Sequence, residues 1–289
     1  MSVETTAAAK SVTPAQPATV DTRMASLRAI YIIWYRDVLR YWRDRWRLVA
    51  SLAQPLLFLV VFGSGLSSSL GGAFGRGSGL SYIQFIYPGI IGMSILFTAI
   101  FGAMSIVWDR EFGFLKEVLV APIDRWAVAI GKALGGTTQA MVQGLILLVL
   151  APLVGVKLSV LTVVELLPLA AVLAFGLASF GVAIASMMKS LQGFQVVMNF
   201  LLMPIFFLSG ALFPLTNLPG WMTLLTRADP ASYGIDPIRR VVLSSSGVSN
   251  AYGLTVGGHV LSIPMEAGIM FAFGAVMLGV AVVMFQRRD

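Results

Sequence analysis

The sequence predicts an all-α membrane protein: six transmembrane helices, an N-terminal amphipathic interfacial helix and outer re-entrant helices. Three observations carry this. Of 289 residues, 57% are hydrophobic and 11% charged, where soluble domains sit near ~45–50% and ~25%. Mean hydropathy is +0.86. The charges are also clustered, leaving six apolar stretches near 48–68, 84–107, 129–151, 160–186, 193–214 and 263–286, and a spanning helix needs about 20 such residues.

Taken in order, residues 1–23 are polar, with no apolar run to make a signal peptide, and read as a disordered cytosolic tail. Residues 24–47 read as the amphipathic interfacial helix. Arg36, Arg40, Arg43 and Arg47 recur at helical spacing as one basic stripe, opposed by Leu27, Ile30, Tyr31, Trp34, Val38, Tyr41 and Trp42. A basic stripe against an aromatic face suits a helix in the headgroup region. It can serve as an anchor before the first span or as a lever touching a cytosolic partner. The same use of its aromatics argues against nucleic acid as the partner.

Residues 48–288 form the transmembrane domain. With the N-terminus inside, only Arg76, Lys157, Arg227, Arg239 and Arg240 of the 20 basic residues fall outside. That bias places both termini in the cytoplasm of a multi-pass cell-membrane protein. Lys132 and Glu165 lie near span ends, where long side chains can snorkel. Residues 67–83 are Gly/Ser-rich and read as a flexible outer loop. The outer segment 215–262 carries Trp221, Leu224, Leu225, Ile235 and Ile238, too apolar to float in water. Short helices dipping into the outer leaflet and broken at Pro219, Pro230 and Pro237 are expected there.

Several chemistries are excluded. Cysteine is absent and His259 is the single histidine, so no catalytic residue or metal site is expected. No ionisable residue lies at mid-span, which disfavours ion-gradient coupling or a charged filter. A P-loop needs G-x-x-x-x-G-K-[ST] to hold phosphates. The Gly-Lys pair at Gly131-Lys132 is followed by Ala133 and has Trp126 where the first glycine belongs. Any ATP must therefore be hydrolysed by a separate polypeptide. Gly131-x-x-x-Gly135 permits a close helix contact, although with 29 glycines such spacings arise by chance.

Two spans carry polar rows. In the fifth, Gln195, Met198, Asn199, Met203 and Phe206 fall near one face; Thr137, Thr138, Gln139 and Gln143 do so in the third. Such rows serve either helix–helix contact or a weakly polar, Met-containing path for an amphipathic substrate. On the cytosolic side, Trp108 to Trp126 alternates charged and apolar residues at helical spacing and ends at Pro122, a form suited to docking in another protein's groove.

Three motifs in order carry a resemblance: Glu111-Phe-Gly-Phe-Leu-Lys-Glu-Val-Leu-Val-Ala-Pro122 with Arg125 and Gly131-Lys132, then Phe207-Leu-Ser-Gly-Ala-Leu-Phe-Pro214, then Asp229-Pro-Ala-Ser-Tyr-Gly-Ile-Asp-Pro-Ile-Arg239. From about 24 to 288 the chain resembles the ABC-2 type membrane subunits of ATP-binding-cassette transporters, in the branch of daunorubicin-resistance-like and nodulation exporters. One departure is Asp229, where the family usually carries Asn. The resemblance implies a permease driven by a P-loop ATPase subunit in two copies, which supplies ATP and Mg, and paired with a second permease chain as homodimer or heterodimer. By position, Asp109, Arg110, Glu111, Phe114, Leu115, Lys116 and Glu117 would contact the ATPase, with the interfacial helix packed beside them. Phe213, Pro214, Tyr233, Asp236 and Arg239 would belong to the outer gate. A hydrophobic or amphipathic cargo, drug or lipid-like, is expected. The alternatives are a lipid-linked glycan or polysaccharide and, from another class, an ATP-independent channel or secondary carrier.

Overall fold

The structure is a computed structural model that describes residues 22–78, 82–113, 124–156, 158–216, 218–244, 253–256 and 259–287. The expected tail lies outside these up to residue 21, as do Phe114, Leu115, Lys116 and Glu117. Six described helices are long and apolar enough to cross a membrane. The chain is an all-α membrane protein, and the β structure described is one antiparallel pair, Thr255–Val256 with His259–Val260.

α1 (Thr22–Arg43) and α2 (Arg45–Ser78) are separate helices, so the stripe expected to be continuous is divided and Arg47 belongs to α2. The cause is Asp44. Its carboxylate accepts the Arg47 backbone N–H (3.0 Å), capping α2 at a position where Asp, Asn and Ser are favoured. α2 remains helical through Ser78, across most of the expected flexible loop at 67–83.

α3 (Tyr82–Gly102) and α4 (Met104–Glu111) follow one another with an interruption at Ala103. α3 is the central helix, buried from Phe85 to Leu96 and packed against α2, α5 (Arg125–Leu150) and α6 (Val160–Met187). It is apolar all round, as a helix enclosed by others must be. α6 pairs most extensively with α10 (Ile263–Arg287). A Cβ on Gly274 would fall 2.8 Å from the Gly176 Cα, so this pair of backbones approaches too closely for any side chain.

α7 (Leu191–Leu208) is peripheral, with Phe194, Met198, Leu202 and Phe206 as its buried row. Next come α8 (Gly220–Ala228), which starts directly after Pro219, and α9 (Ser232–Leu243). Pro230 lies between them, but Pro237 sits inside α9, so the break expected there is absent. α9 is buried almost throughout, lodged against α3, α6 and α10. α3 and α6 run in the same direction and α5 runs against them: at one level α9 meets Gly92 and Leu173, and further along Ile100 meets Gly181 and Gly102 meets Gly136, so the bundle has an α9 end and an α1 end.

α1 runs beside the first half of α5 in the same direction. A Cβ on Gly131 would meet Ile33 at 3.0 Å, and one on Gly135 would meet Asp37 at 3.2 Å. The small-residue spacing is thus the seat of α1. Ser26, Ala29, Ile33, Asp37 and Tyr41 form its buried face, while Leu27, Tyr31 and Trp42 point outward.

Candidate functional site

At the α1 end, three consecutive residues of α4 each bond to a different part of the bundle. Asp109 comes first. Its Oδ2 accepts from Lys132 Nζ of α5 (2.7 Å) and from Arg36 of α1 (2.6 Å). Lys132 also pairs with Asp37 (3.0 Å) and donates to the Ser105 hydroxyl (3.0 Å), and Arg36 reaches Asp37 at 3.2 Å. Two cations therefore meet two carboxylates, with the side chains of Lys132, Asp37 and Asp109 exposed by no more than 9%. Buried charges persist only when matched in this way.

Arg110 donates to the carbonyls of Ser186 (3.0 Å) and Met188 (2.5 Å), satisfying the end of α6, where helix carbonyls lack partners and a cation is favoured. Glu111 accepts the Leu191 backbone N–H (3.0 Å) at the first turn of α7, where an anion is favoured. The far side of the 112–123 segment is held as well. Asp124 accepts from the Ser26 hydroxyl (2.8 Å), and Arg125 donates to the carbonyls of Phe285 (3.0 Å) and Gln286 (3.1 Å) in the last turn of α10.

These contacts correct two expectations. Asp109 is buried and faces α1 and α5, so it holds the root of the segment and offers no contact surface to another protein. Lys132 does not snorkel; it is the centre of the buried cluster. Of the basic stripe, Arg36 joins the cluster, Arg40 lies over the Trp108 ring (5.1 Å), Arg43 is exposed, and Arg47 lies over the Tyr41 ring (5.9 Å). The roles of Asp37 and Lys132 escaped sequence reasoning. The usable signal was the Gly131-x-x-x-Gly135 seat, which brings α1 within reach of Lys132.

At the α9 end, Arg239 is fully buried, and its guanidinium donates to the carbonyls of Gly210, Ala211 (3.2 Å) and Phe213 (3.4 Å) while lying 4.7 Å over the Phe85 ring. It thereby satisfies the turn that follows α7. Asp236 accepts the Leu254 N–H (2.9 Å), and Arg240 pairs with Glu266 (3.4 Å) and donates to the Leu261 carbonyl (2.7 Å). Tyr233 donates to the Arg227 carbonyl (2.8 Å). Phe213 contributes through its backbone, and Pro214 is half-buried. Burial pushes the Asp229 carboxyl up to about 7, against the opposing hydrogen bonds from Ala231 N–H (3.1 Å) and the Ser232 hydroxyl (3.4 Å).

The expected polar row of α7 divides. Met198 and Phe206 pack inward, whereas Gln195, Asn199 and Met203 are exposed, beside Val196 and Phe200. Among the described residues, no cluster of His, Cys, Asp and Glu is arranged to hold a metal.

Comparison with known proteins agrees with this architecture. The family model described as ABC-2 type transporter matches residues 28–243. Nodulation protein J of Rhizobium meliloti is 27% identical over 257 residues, covering 88% of this chain and 92% of that protein. The inner membrane transport permease YadH of Escherichia coli is 30% identical over 217 residues, covering 73% and 81%. The chain therefore belongs to the ABC-2 type transporter family, as a multi-pass membrane permease of the kind that works with an ATP-binding-cassette ATPase.

Proposed function

We propose that this chain forms one half of the membrane core of an ATP-driven exporter, and that residues 112–123 pass ATPase movement to the bundle. The observation that carries this is the wiring on either side of that segment. Asp109, Arg110 and Glu111 bond to α1, α5, α6 and α7, and Asp124 and Arg125 bond to α1 and α10. A displacement of the segment would reach five helices through charge-assisted bonds rather than through a flexible linker. The basic-residue bias supports a cytoplasmic location for this end and for both termini. Phe114, Leu115, Lys116 and Glu117 are the residues we assign to the ATPase contact.

The exposed amide and thioether row of α7 supports the rest. A spanning helix that presents Gln195 and Asn199 to lipid would leave them unsatisfied. A second permease chain facing this row encloses a path with amide and thioether walls and no fixed charge. Such a path suits a hydrophobic or amphipathic cargo, and two chains call for two ATPase copies.

Arg110→Ala tests the wiring. In the reconstituted complex we expect ATP hydrolysis to stay within about twofold of wild type while transport falls at least about tenfold, since the lost bonds lie between segment and bundle. Equal loss of both activities, or no loss of transport, would overturn the proposed role. The purified permease alone should hydrolyse no ATP.

A further inference from the structure

Beside the ion cluster, the join between α1 and α2 opens onto a cleft that the wiring does not use. Its mouth is a cavity of about 280 Å³ lined by Asp37, Arg40, Asp44, Arg47, Trp108 and Gln139, among others. At Tyr41 and Arg47 it meets a second cavity of about 150 Å³ between α2 and α3, walled by Pro55, Met93, Ser94, Phe97 and Phe101. One compartment carries two arginines, two aspartates and the rings of Tyr41 and Trp108. The other is largely apolar.

Several observations identify what the cleft holds. Both acidic residues at the mouth are engaged, Asp37 with Lys132 and Arg36, and Asp44 in capping α2. Arg40 and Arg47 are held over aromatic rings, and among the described residues neither forms an ion pair with a carboxylate. The floor also contains buried polar atoms that lack a partner among the described residues. They are Gln139 Oε1, in a side chain 5% exposed, and Ser94 Oγ, in one 4% exposed. Buried polar atoms without a partner are rare enough to indicate a ligand or water position. Finally, Arg40, Arg43, Arg45 and Arg47 gather at one helix join. So many arginines cannot sit in hydrocarbon and must mark the membrane–water boundary, where Trp and Tyr also concentrate. The mouth is then level with lipid headgroups, and the apolar compartment runs from it along α2 and α3 into the bilayer.

We propose that this cleft is a binding site for one phosphate-headed glycerolipid per chain. Arg40 and Arg47 take the phosphate, the pairing that guanidinium geometry favours. Gln139 and Ser94 meet the polar glycerol-ester region, and an acyl chain lies against Pro55, Phe97 and Phe101. The site is distinct from the α7 row, and the proposal does not rest on the export reading.

Native mass spectrometry of the full-length chain in detergent, titrated with phosphatidylglycerol, tests it. Wild type should retain one lipid per chain, and R40Q/R47Q should weaken retention at least about tenfold, given the strength of charge-assisted phosphate bonds. All four arginines are exposed, so R43Q/R45Q removes the same charge from residues that do not line the cleft and should change retention by no more than about twofold, as expected for charge screened over distance. Equal losses in the two double variants would overturn the site in favour of diffuse attraction. Diacylglycerol, which lacks phosphate, should bind at least about tenfold more weakly than phosphatidylglycerol; equal retention would overturn phosphate recognition. Displacement of the lipid by glycerol phosphate at equal concentration would show a small-anion site and overturn the lipid assignment. If R40Q/R47Q lowers the melting temperature, T98W fills the chain compartment instead. It should then reduce retention without altering charge, and undiminished retention would refute the proposal.

Discussion

The two ends of the bundle bury similar charges in different ways. At the α1 end, Lys132 and Arg36 pair with Asp37 and Asp109, side chain to side chain across three helices. At the α9 end, Arg239 spends its guanidinium on the carbonyls of Gly210, Ala211 and Phe213, and Asp236 accepts a backbone N–H from Leu254. The first arrangement ties regular helices together. The second supports irregular backbone that has no ladder of its own, and backbone groups buried without partners are costly. Charge alone should therefore suffice at the α1 end, whereas shape should matter at the α9 end.

The largest effect should come from Arg239. Its loss leaves the buried carbonyls of Gly210, Ala211 and Phe213 without their donor, so Arg239→Ala should cost about 3–5 kcal/mol, at roughly 1–3 kcal/mol for each unsatisfied group. Lysine cannot reach three carbonyls with a planar fork, so Arg239→Lys should lose most of the same stability in thermal unfolding. Recovery by lysine would erase the distinction drawn between the two ends.

Lys132 sharpens it from the other side. Lys132→Met should also cost about 3–5 kcal/mol, because Asp37 and Asp109 stay buried with Arg36 alone. Adding Asp109→Leu should return much of that stability, since an apolar replacement of a buried pair is often tolerated. Transport should nevertheless remain low in the double variant. Stability that does not recover would mean that the cluster contributes more than charge balance.

A third effect, read against pH, concerns Asp229. Its folded pKa is raised from 3.8 to about 7, so the folded chain holds a proton that the unfolded chain releases. Stability from this group is therefore lost as pH rises from about 4 to about 7 and is level above that. Asp229→Asn keeps the acceptor for Ala231 N–H and removes the cost. Its melting temperature should match wild type below pH 4 and exceed it at pH 8, and a difference that is constant across this range would contradict the assignment.

Much of the fold was legible because lipid makes hydropathy decisive: a run such as Val160–Met187 has to be a helix that hides its backbone polarity. The functions of Asp37, Asp109 and Lys132 were not. Each reads as an unremarkable charge near a helix end until α1 is seated on Gly131 and Gly135. The α7 row was only partly legible, because helical spacing placed Met198 and Asn199 close together but could not say which side α4 and α3 would cover.

By itself the sequence determined the number and placement of apolar helices, the charge asymmetry of the loops, and the lack of a nucleotide-binding motif. These depend on local composition and on the solvent that surrounds each segment. Only the tertiary structure decided which charges pair, which row of α7 stays exposed, and that the α1–α2 join borders a cleft. Those outcomes depend on contacts between residues about 100 apart in the chain, such as Asp37 with Lys132 and Ser26 with Asp124. Helical periodicity fixes the direction of a side chain on its own helix and says nothing of the neighbour it meets.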